Sequence, residues 1–484
     1  MIYDTRELPE RLDLRDLIPS PEALACLAVD SARRLCVLPL AVRSQTPCEV
    51  LLVACSDASQ VENHERVVKH IDSHYRLQFV SCPEHQLRKC IENSYREKLS
   101  LTALLNLAHS DRYKENEIAR VSDYPIELVD ALIRQAVRMR ASDVHISPES
   151  DCIQIRLRID GVLLHLATID KALLTRLLVR IKIMASLDIA ETRYPQDGQF
   201  RRLVDAYPID FRVSTFPTVA GENTVLRLID NALQLNSLSA FGLPAELMQK
   251  LSELVQKPDG LIVVCGPTGA GKSTTLFALL EQIDYHSLSV MTLEDPVEHR
   301  VPGIRQTTVD AARHWGYAQG LRALLRQDPD VLLIGEIRDS ESCEMALRAV
   351  TTGHQVLTTV HARCAHSALH RLRELHSINS SIGQGLVAMI AQRLVRKLCS
   401  SCEAGDASCA DCHGTGYIGR QVVMELLEVT TEIRSLLESG GDIGDIQAAS
   451  ARAGFQCMRD RAMALVVEGV TNEQEVNRVF GTGA

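Results

Sequence analysis

Residues 266–274 read Gly266-Pro267-Thr268-Gly269-Ala270-Gly271-Lys272-Ser273-Thr274, a match without exception to the phosphate-loop pattern G-x-x-x-x-G-K-[ST]. The apolar run at 261–264 ahead of it reads as a short buried strand, and the residues after it, 275–280, open a helix. Three glycines permit a tight turn whose backbone N–H groups point at phosphate oxygens. Lys272 can reach the β- and γ-phosphates, and Ser273 is a candidate ligand of Mg²⁺. A strand before and a helix after is the context that this pattern requires. The chain is therefore expected to bind a nucleoside triphosphate, with residues 266–274 as its cradle.

From about residue 235 onward, strand and helix patterns alternate, which predicts a parallel sheet covered on both faces. Three apolar stretches end in polar residues: Thr292-Leu293 before Glu294-Asp295-Pro296, 331–334 before Gly335-Glu336, and 356–360 before His361. In open α/β sheets ligands bind outside the carboxyl ends of the strands, so these residues are expected to converge on the nucleotide. Hydrolysis needs a carboxylate to orient or deprotonate the attacking water and to help hold Mg²⁺, and Glu336 is the candidate. Glu294, Asp295 and Glu298 form a second acidic cluster suited to coordinating a metal through water. The alternative is a solvated loop in which Asp295 caps a helix before Pro296. His354 and His361, taken alone, read more readily as structural histidines than as functional ones.

Of the 15 cysteines, eleven are scattered singly and read as reduced, small apolar residues. The other four form Cys399-x-x-Cys402 and Cys409-x-x-Cys412, two pairs with six residues between them. Two such pairs match a closed, tetrahedral, structural zinc site. His413 adjoins Cys412 but is not needed as a ligand.

A length of 484 residues suggests about three domains. With 46% hydrophobic and 24% charged residues the chain is expected to pack a globular core. The net charge of −10 gives no electrostatic support for direct contact with nucleic acid. No apolar run approaches the roughly 20 residues needed to span a bilayer, and the first ten residues lack the apolar core of a signal peptide. The expectation is a cytoplasmic protein, peripheral at a membrane only through partners. Residues 1–98 read as an α/β module without a catalytic motif, including a helical stretch over 61–71, and 99–120 as a linker. Residues 121–232 read as an α+β lobe. Its first helix carries Ile126, Val129, Leu132 or Ile133, and Ala136 on one face. Ile153, Ile155, Leu157 and Ile159 alternate with polar residues up to an Asp160-Gly161 hairpin turn, and the strand returns over 162–166. A helix over 173–187 and strands around Ile209, Phe211 and Val213 and at 225–229 complete it. Residues 233–484 form the nucleotide domain, with the tetracysteine insert at 399–412.

These residues together resemble the secretion ATPases that assemble type IV pili and type II secretion pseudopili. The resemblance rests on Ala141-Ser-Asp-Val-His-Ile-Ser-Pro148, Arg158-Ile-Asp-Gly-Val162, Tyr194-Pro-Gln-Asp-Gly198, Phe211-Arg-Val-Ser-Thr215 and Gly221-Glu-Asn-Thr-Val-Leu-Arg-Leu228. It continues through the phosphate loop, Leu293-Glu-Asp-Pro-Val-Glu298 as an aspartate box, Arg326-Gln-Asp-Pro-Asp330 to Glu336-Ile-Arg-Asp339 as a Walker B segment, Thr352-Gly-His354 to His361 as a histidine box, and Cys412-His-Gly-Thr-Gly-Tyr417 to Arg420. It implies a RecA-like phosphate-loop domain with a parallel sheet, preceded by a smaller PAS-like α+β lobe and an N-terminal α/β docking module. It further implies a homo-hexameric ring using ATP, Mg²⁺ and structural Zn²⁺, with Arg212 and Arg227 as arginine fingers. The implied partners are an inner-membrane platform protein and a membrane-anchored docking protein. The chain departs from the family at Ala362-Arg-Cys364, where Thr-Asn-Asp is usual, at Phe277, and in its closely spaced cysteine pairs. Some relatives carry an N-terminal Arg-Leu-Gly-type motif for a cyclic dinucleotide; none stands before residue 98, so that ligand is not expected. The alternatives are a retraction or DNA-uptake motor and a nucleotide-gated scaffold with little turnover.

Overall fold

The computed structural model describes residues 12, 14, 17–45, 48–57, 67–71, 75–95, 101, 104–105, 124–204, 207–229, 237–310, 315–376, 378–402 and 409–482. The chain divides into two units, residues 1–232 and 233–484.

The first unit holds two sheets. Its early elements are β1 (Leu17–Ile18), α1 (Pro21–Ala25), α2 (Val29–Leu35), β2 (Val37–Gln45), β3 (Cys48–Cys55), β4 (Tyr75–Ser81) and α3 (Glu84–Tyr95). Strands β2, β3 and β4 form a three-stranded sheet, with β2–β3 antiparallel and β3–β4 parallel. Leu38, Leu40, Leu51 and Leu52 are fully buried at its centre. Of the helix expected over 61–71 only 67–71 are described, and most of the expected linker, 106–120, also lies outside the described residues. Leu104 is buried, and its carbonyl accepts the Tyr124 hydroxyl at 2.8 Å.

The second sheet follows from strict two-residue alternation. After α4 (Tyr124–Arg138) come β5 (Asp143–Pro148), β6 (Cys152–Ile159), β7 (Val162–Asp170), α5 (Leu174–Met184), β8 (Gln196–Val204), β9 (Tyr207–Thr218) and β10 (Gly221–Ile229). The order is β1-β8-β9-β10-β5-β6-β7, antiparallel except for the parallel β1–β8 pair. Ile153, Ile155, Leu157, Phe211 and Val213 share one core with Leu128 and Leu132 of α4 and Leu177 and Ile181 of α5. The opposite face is left polar. Asp160 and Gly161 have φ of 48° and 82°, the two positive values that a type I′ hairpin turn needs. Two boundaries and one inward position differ from the sequence reading. The returning strand runs on to Asp170. The following helix stops at Met184, and Ser186 then takes φ 56°. Ile126 is 38% exposed, because Tyr124 and Leu128 take the inward positions beside Val129.

The second unit contains α6 (Ala245–Val255), β11 (Gly260–Cys265), α7 (Lys272–Leu280), β12 (Val290–Glu294), β13 (Arg305–Thr308), α8 (Tyr317–Leu324), β14 (Val331–Ile334), α9 (Ser340–Thr351), β15 (Gln355–Val360), α10 (Ala365–Leu375) and α11 (Asn379–Gly385). The long pair β16 (Leu386–Leu398) and β17 (Tyr417–Glu428) and the helices α12 (Thr431–Glu438), α13 (Ile443–Arg452), α14 (Met458–Val467) and α15 (Glu473–Phe480) complete it. The sheet order is β13-β12-β14-β15-β11-β16-β17. Neighbours are parallel from β13 to β16, as expected, and β17 adds an antiparallel edge that the sequence reading did not foresee. Every residue of β11, β14 and β15 is buried, which is why these strands read as continuous apolar runs rather than alternating ones. Leu261 and Val263 pack into one core and Ile262 and Val264 into another, so helices cover both faces.

One buried carboxylate organises the far side of this unit. Glu425 of β17 accepts the backbone N–H of Ala365 at 2.7 Å and of Met458 at 2.9 Å, the first residues of α10 and α14. Burial pushes its pKa up, and the two amides, at the positive ends of two helix dipoles, oppose the rise.

Candidate nucleotide site, arginine row and tetracysteine centre

The parallel strands bring their carboxyl ends to one edge. Register pairs Cys265 with Val360, Leu293 with Ile334 and Ile334 with Thr358. The phosphate loop leaves β11 there, Glu294 ends β12, Glu336 follows β14 and His361 follows β15. Gly266, Gly269 and Gly271 have φ of 157°, 77° and 84°. A Cβ at Gly266 would lie 2.7 Å from the Gln392 carbonyl, whereas at Gly269 it would meet open space. Gly271 is the N-cap of α7 and no side chain bonds the helix start, so the amide end of a buried helix is presented to an anion. Pro267, Thr268, Ser273 and Thr274 are exposed around it, and Gly266 and Ala270 are buried. Gln392 of β16 donates to the Ala270 carbonyl at 2.6 Å and holds the loop from behind. This cradle fits a polyphosphate, and Ser273 stands in the first turn of the helix beside it.

Lys272 donates to the Gly266 and Pro267 carbonyls, both at 3.1 Å. Burial pushes its pKa down, and the nearby charge of Glu336 works the other way. Glu336 Oε2 lies 3.1 Å from His361 Nε2, and its Oε1 accepts Arg338 Nε. Arg338 Nη2 also reaches Asp295 Oδ2 at 3.3 Å, and its guanidinium stands 5.9 Å over the Tyr317 ring. No helix follows Asp295; the residue pairs with Arg338 across the site instead of capping. Glu294 is buried and accepts Thr292 Oγ1 at 2.6 Å and Gln306 Nε2 at 3.0 Å. Burial raises its pKa despite these bonds, and Glu298, exposed on the following loop, adds to the rise. His354 lies at the opposite end of β15, where its Nδ1 is 2.8 Å from the Ala349 carbonyl, in the turn that closes α9.

The structure thus gathers Lys272, Asp295, Glu336 and His361 about one edge. It adds Arg338, Tyr317, Gln306 and Gln392, to which the sequence reading gave no role. Arg338 was within reach: a Glu-x-Arg spacing at an extended strand end places both side chains on one side. Tyr317, Gln306 and Gln392 carry no local signal, because each arrives from a distant element.

In the first unit, Arg212 of β9 and Arg227 of β10 are directly paired across the ladder, and Gln199, Asp143 and Arg158 continue the same row. All of them stand on the polar face. Arg227 Nε donates to Asp143 Oδ1 at 2.8 Å, and Asp210 is taken by Arg201 at 2.5 Å. A cavity of about 580 Å³ opens beside the row, lined by Asp197, Gln199, Arg212, Ser214 and Arg227 among others.

The four clustered cysteines sit in the connection of the β16–β17 hairpin, whose neck is closed by Cys399 N–H donating to the Gly416 carbonyl at 2.9 Å. Their four Sγ atoms lie within 4.8 Å of one another, with Cys399–Cys409 at 3.9 Å and Cys402–Cys412 at 3.6 Å. Zinc–sulfur bonds in a tetrahedron set sulfurs about 3.8 Å apart, so the cluster fits Zn²⁺. Backbone N–H groups of Ser401 and Gly416 approach Cys399 Sγ at 3.4 Å and Cys412 Sγ at 3.3 Å, which stabilises thiolates. Below the neck, Glu475 of α15 is fully buried between Arg396, at 2.7 Å, and Arg478, at 2.6 Å, and Arg396 stacks 3.9 Å over Tyr417.

Against known proteins, the family profile described as type II/IV secretion system protein matches residues 120–478, and that of the MshEN domain matches 7–101. The type II secretion system protein HxcR of Pseudomonas aeruginosa is 39% identical over 417 residues, covering 82% of this chain and 89% of that protein. The type IV pilus assembly ATPase PilB of Thermus thermophilus is 33% identical over 494 residues, covering 95% of this chain and 54% of that protein. Among solved structures, the ATPase DotB of Legionella pneumophila aligns at a TM-score of 0.57 and 22% identity over 73% of this chain and 95% of that one. The expected RecA-like α/β architecture with a smaller preceding domain is borne out. Among the described residues no helix is long and apolar enough to cross a membrane.

Proposed function

The chain belongs to the type II/IV secretion system protein family and is an ATP-hydrolysing enzyme, and from that premise we propose that it works as a homo-hexameric ring driving assembly of pseudopilin or pilin filaments. The ring acts from the cytoplasm through an inner-membrane platform protein, with the N-terminal module as the dock for a membrane-anchored partner. The observation that carries this reading is the meeting of the phosphate loop, Glu336 and His361 at one sheet edge. A type II secretion pseudopilin is the preferred substrate, because the resemblance to HxcR spans most of that protein.

Residues 266–274 bind the phosphates, with Lys272 on the β- and γ-groups. Glu336 orients the attacking water and takes its proton, and His361 and Arg338 fix the carboxylate that does so. Ser273, with Glu294, Asp295 and Glu298 through water, would hold Mg²⁺, which when bound would neutralise charge on the phosphates. Arg212 and Arg227 balance the charge that spreads over the transferring phosphoryl group. Cys399, Cys402, Cys409 and Cys412 would hold a structural zinc, which would supply folding stability and not catalysis.

Phosphate release measured on purified rings tests the enzymology, and complementation of a secretion-deficient deletion strain tests the process. Robust turnover with no rescue of secretion or piliation would reject the assembly role while keeping the ATPase. Binding without turnover would favour a nucleotide-gated scaffold.

A further inference from the structure

Asp143 is the one carboxylate in a cationic row. Its side chain is 5% exposed, on β5, directly opposite Arg227 on one side and Arg158 on the other. Oδ1 accepts Arg227 Nε at 2.8 Å, Oδ2 accepts Ser142 Oγ at 2.8 Å and lies 3.6 Å from Arg158 Nε. The Arg227 side chain is 64% exposed, and Nε is its bonded atom. The Arg227 side chain also lines the cavity that Arg212 lines. A free arginine of this exposure spreads over many rotamers. A buried acceptor on Nε removes much of that freedom without occupying the outer edge of the guanidinium fork.

We infer that Asp143 is a positioning residue for hydrolysis, which acts through Arg227 by clamping its Nε so that the paired Nη donors face an incoming phosphoryl oxygen. The inference rests on the reading of Arg227 as an arginine finger. Two details support it. Burial alone would push the Asp143 carboxyl up, yet the bonds from Arg227 and Ser142 hold it below the usual range, so the clamp is charged. The ladder also fixes both Cα positions, so the aim of the arginine depends on the sheet and not on a loop.

The test is a double-mutant cycle on the full chain, read by steady-state phosphate release over a range of MgATP concentrations. D143N keeps the shape and one acceptor oxygen but loses the charge, and it is expected to lower kcat about tenfold. KM, ring mass and melting temperature stay near wild type. In an R227Q background the same change should alter the rate less than about twofold, because the residue it acts through is gone. An equal factor in both backgrounds would make Asp143 merely structural and overturn the inference, as would wild-type kcat in D143N beside a crippled R227Q. A fully active R227Q would instead remove the arginine reading, and this inference with it. If D143N fails to assemble, D143E, which keeps the charge and moves it by one methylene, goes through the same cycle, and the same outcomes support or overturn the inference.

Discussion

Glu336 Oε2 and His361 Nε2 stand 3.1 Å apart although 25 residues separate them in the chain. The contact exists because β14 and β15 are adjacent and parallel, so the residues that follow each strand emerge at the same edge. A carboxylate held this way is oriented before any water arrives, which is the condition for general-base action. Replacing Glu336 with Gln keeps the shape and removes the carboxylate proposed as the base. ATP binding should survive, and kcat should fall by about 10²-fold or more. Equilibrium binding of a fluorescent nucleotide beside steady-state phosphate release checks both halves; normal turnover would shift the role to Glu294 or Glu298.

Lys272 is the positive side chain of the phosphate loop, half-withdrawn onto its own carbonyls. Lys272→Ala should reduce hydrolysis to a few per cent of wild type or less, since no other side chain of the loop carries charge to the transferred group. Steady-state rates at saturating MgATP decide this.

Each subunit should carry about one zinc. Cys402→Ser should lower metal content and loosen the β16–β17 tip while leaving nucleotide affinity nearly unchanged, because thiolate–zinc binding energy is local folding energy. Elemental analysis before and after chelation, with limited proteolysis of the hairpin, reads the outcome. Protein that contains no zinc and is indifferent to chelator would eliminate the site.

Hydrolysis should depend on assembly. If Arg227 serves a nucleotide in a closed ring, specific activity rises more than linearly with protein concentration. Arg227→Ala should then lower kcat by about 10³-fold while leaving folding and nucleotide binding intact. Activity measured against ring fraction by light scattering tests this, and a dilute monomer with full specific activity would refute it.

Glu475 makes acid stability predictable. Burial would raise its carboxyl, but bonds from Arg478 and Arg396 bring it down to about 2. A depressed native pKa contributes stability that is present above the unfolded value of 4.5 and is lost as pH falls toward 2. Glu475→Gln should therefore cost about 3 kcal/mol near neutrality. The gap from wild type should narrow between about pH 4.5 and 2. Denaturant melts across that window measure it.

The phosphate loop, the apolar strands that end in acids, and the cysteine spacing were legible because each is a local pattern with a fixed chemical meaning. The polar edge partners were not. Tyr317 reaches Arg338, and Gln306 reaches Glu294, through a fold that brings separate elements together, and no periodicity encodes it. The β16–β17 hairpin escaped for another reason: β16 is fully apolar only over its first half and was masked by the cysteine signal that follows. By proximity in sequence, Asp210 and Asp230 are natural partners for the arginines. The ladder instead gives Arg227 the more distant Asp143, and Asp210 serves Arg201; Asp230 lies outside the described residues.

Glu425 has a bearing on how variants of this protein will be read. It sits 60 residues from Ala365 and 33 from Met458 and holds the starts of two helices at once. Losing the carboxylate strands both amides in a dry interior. In any screen for defective alleles this position will score beside Lys272 and Glu336, and only a folding assay will separate an architectural lesion from a chemical one.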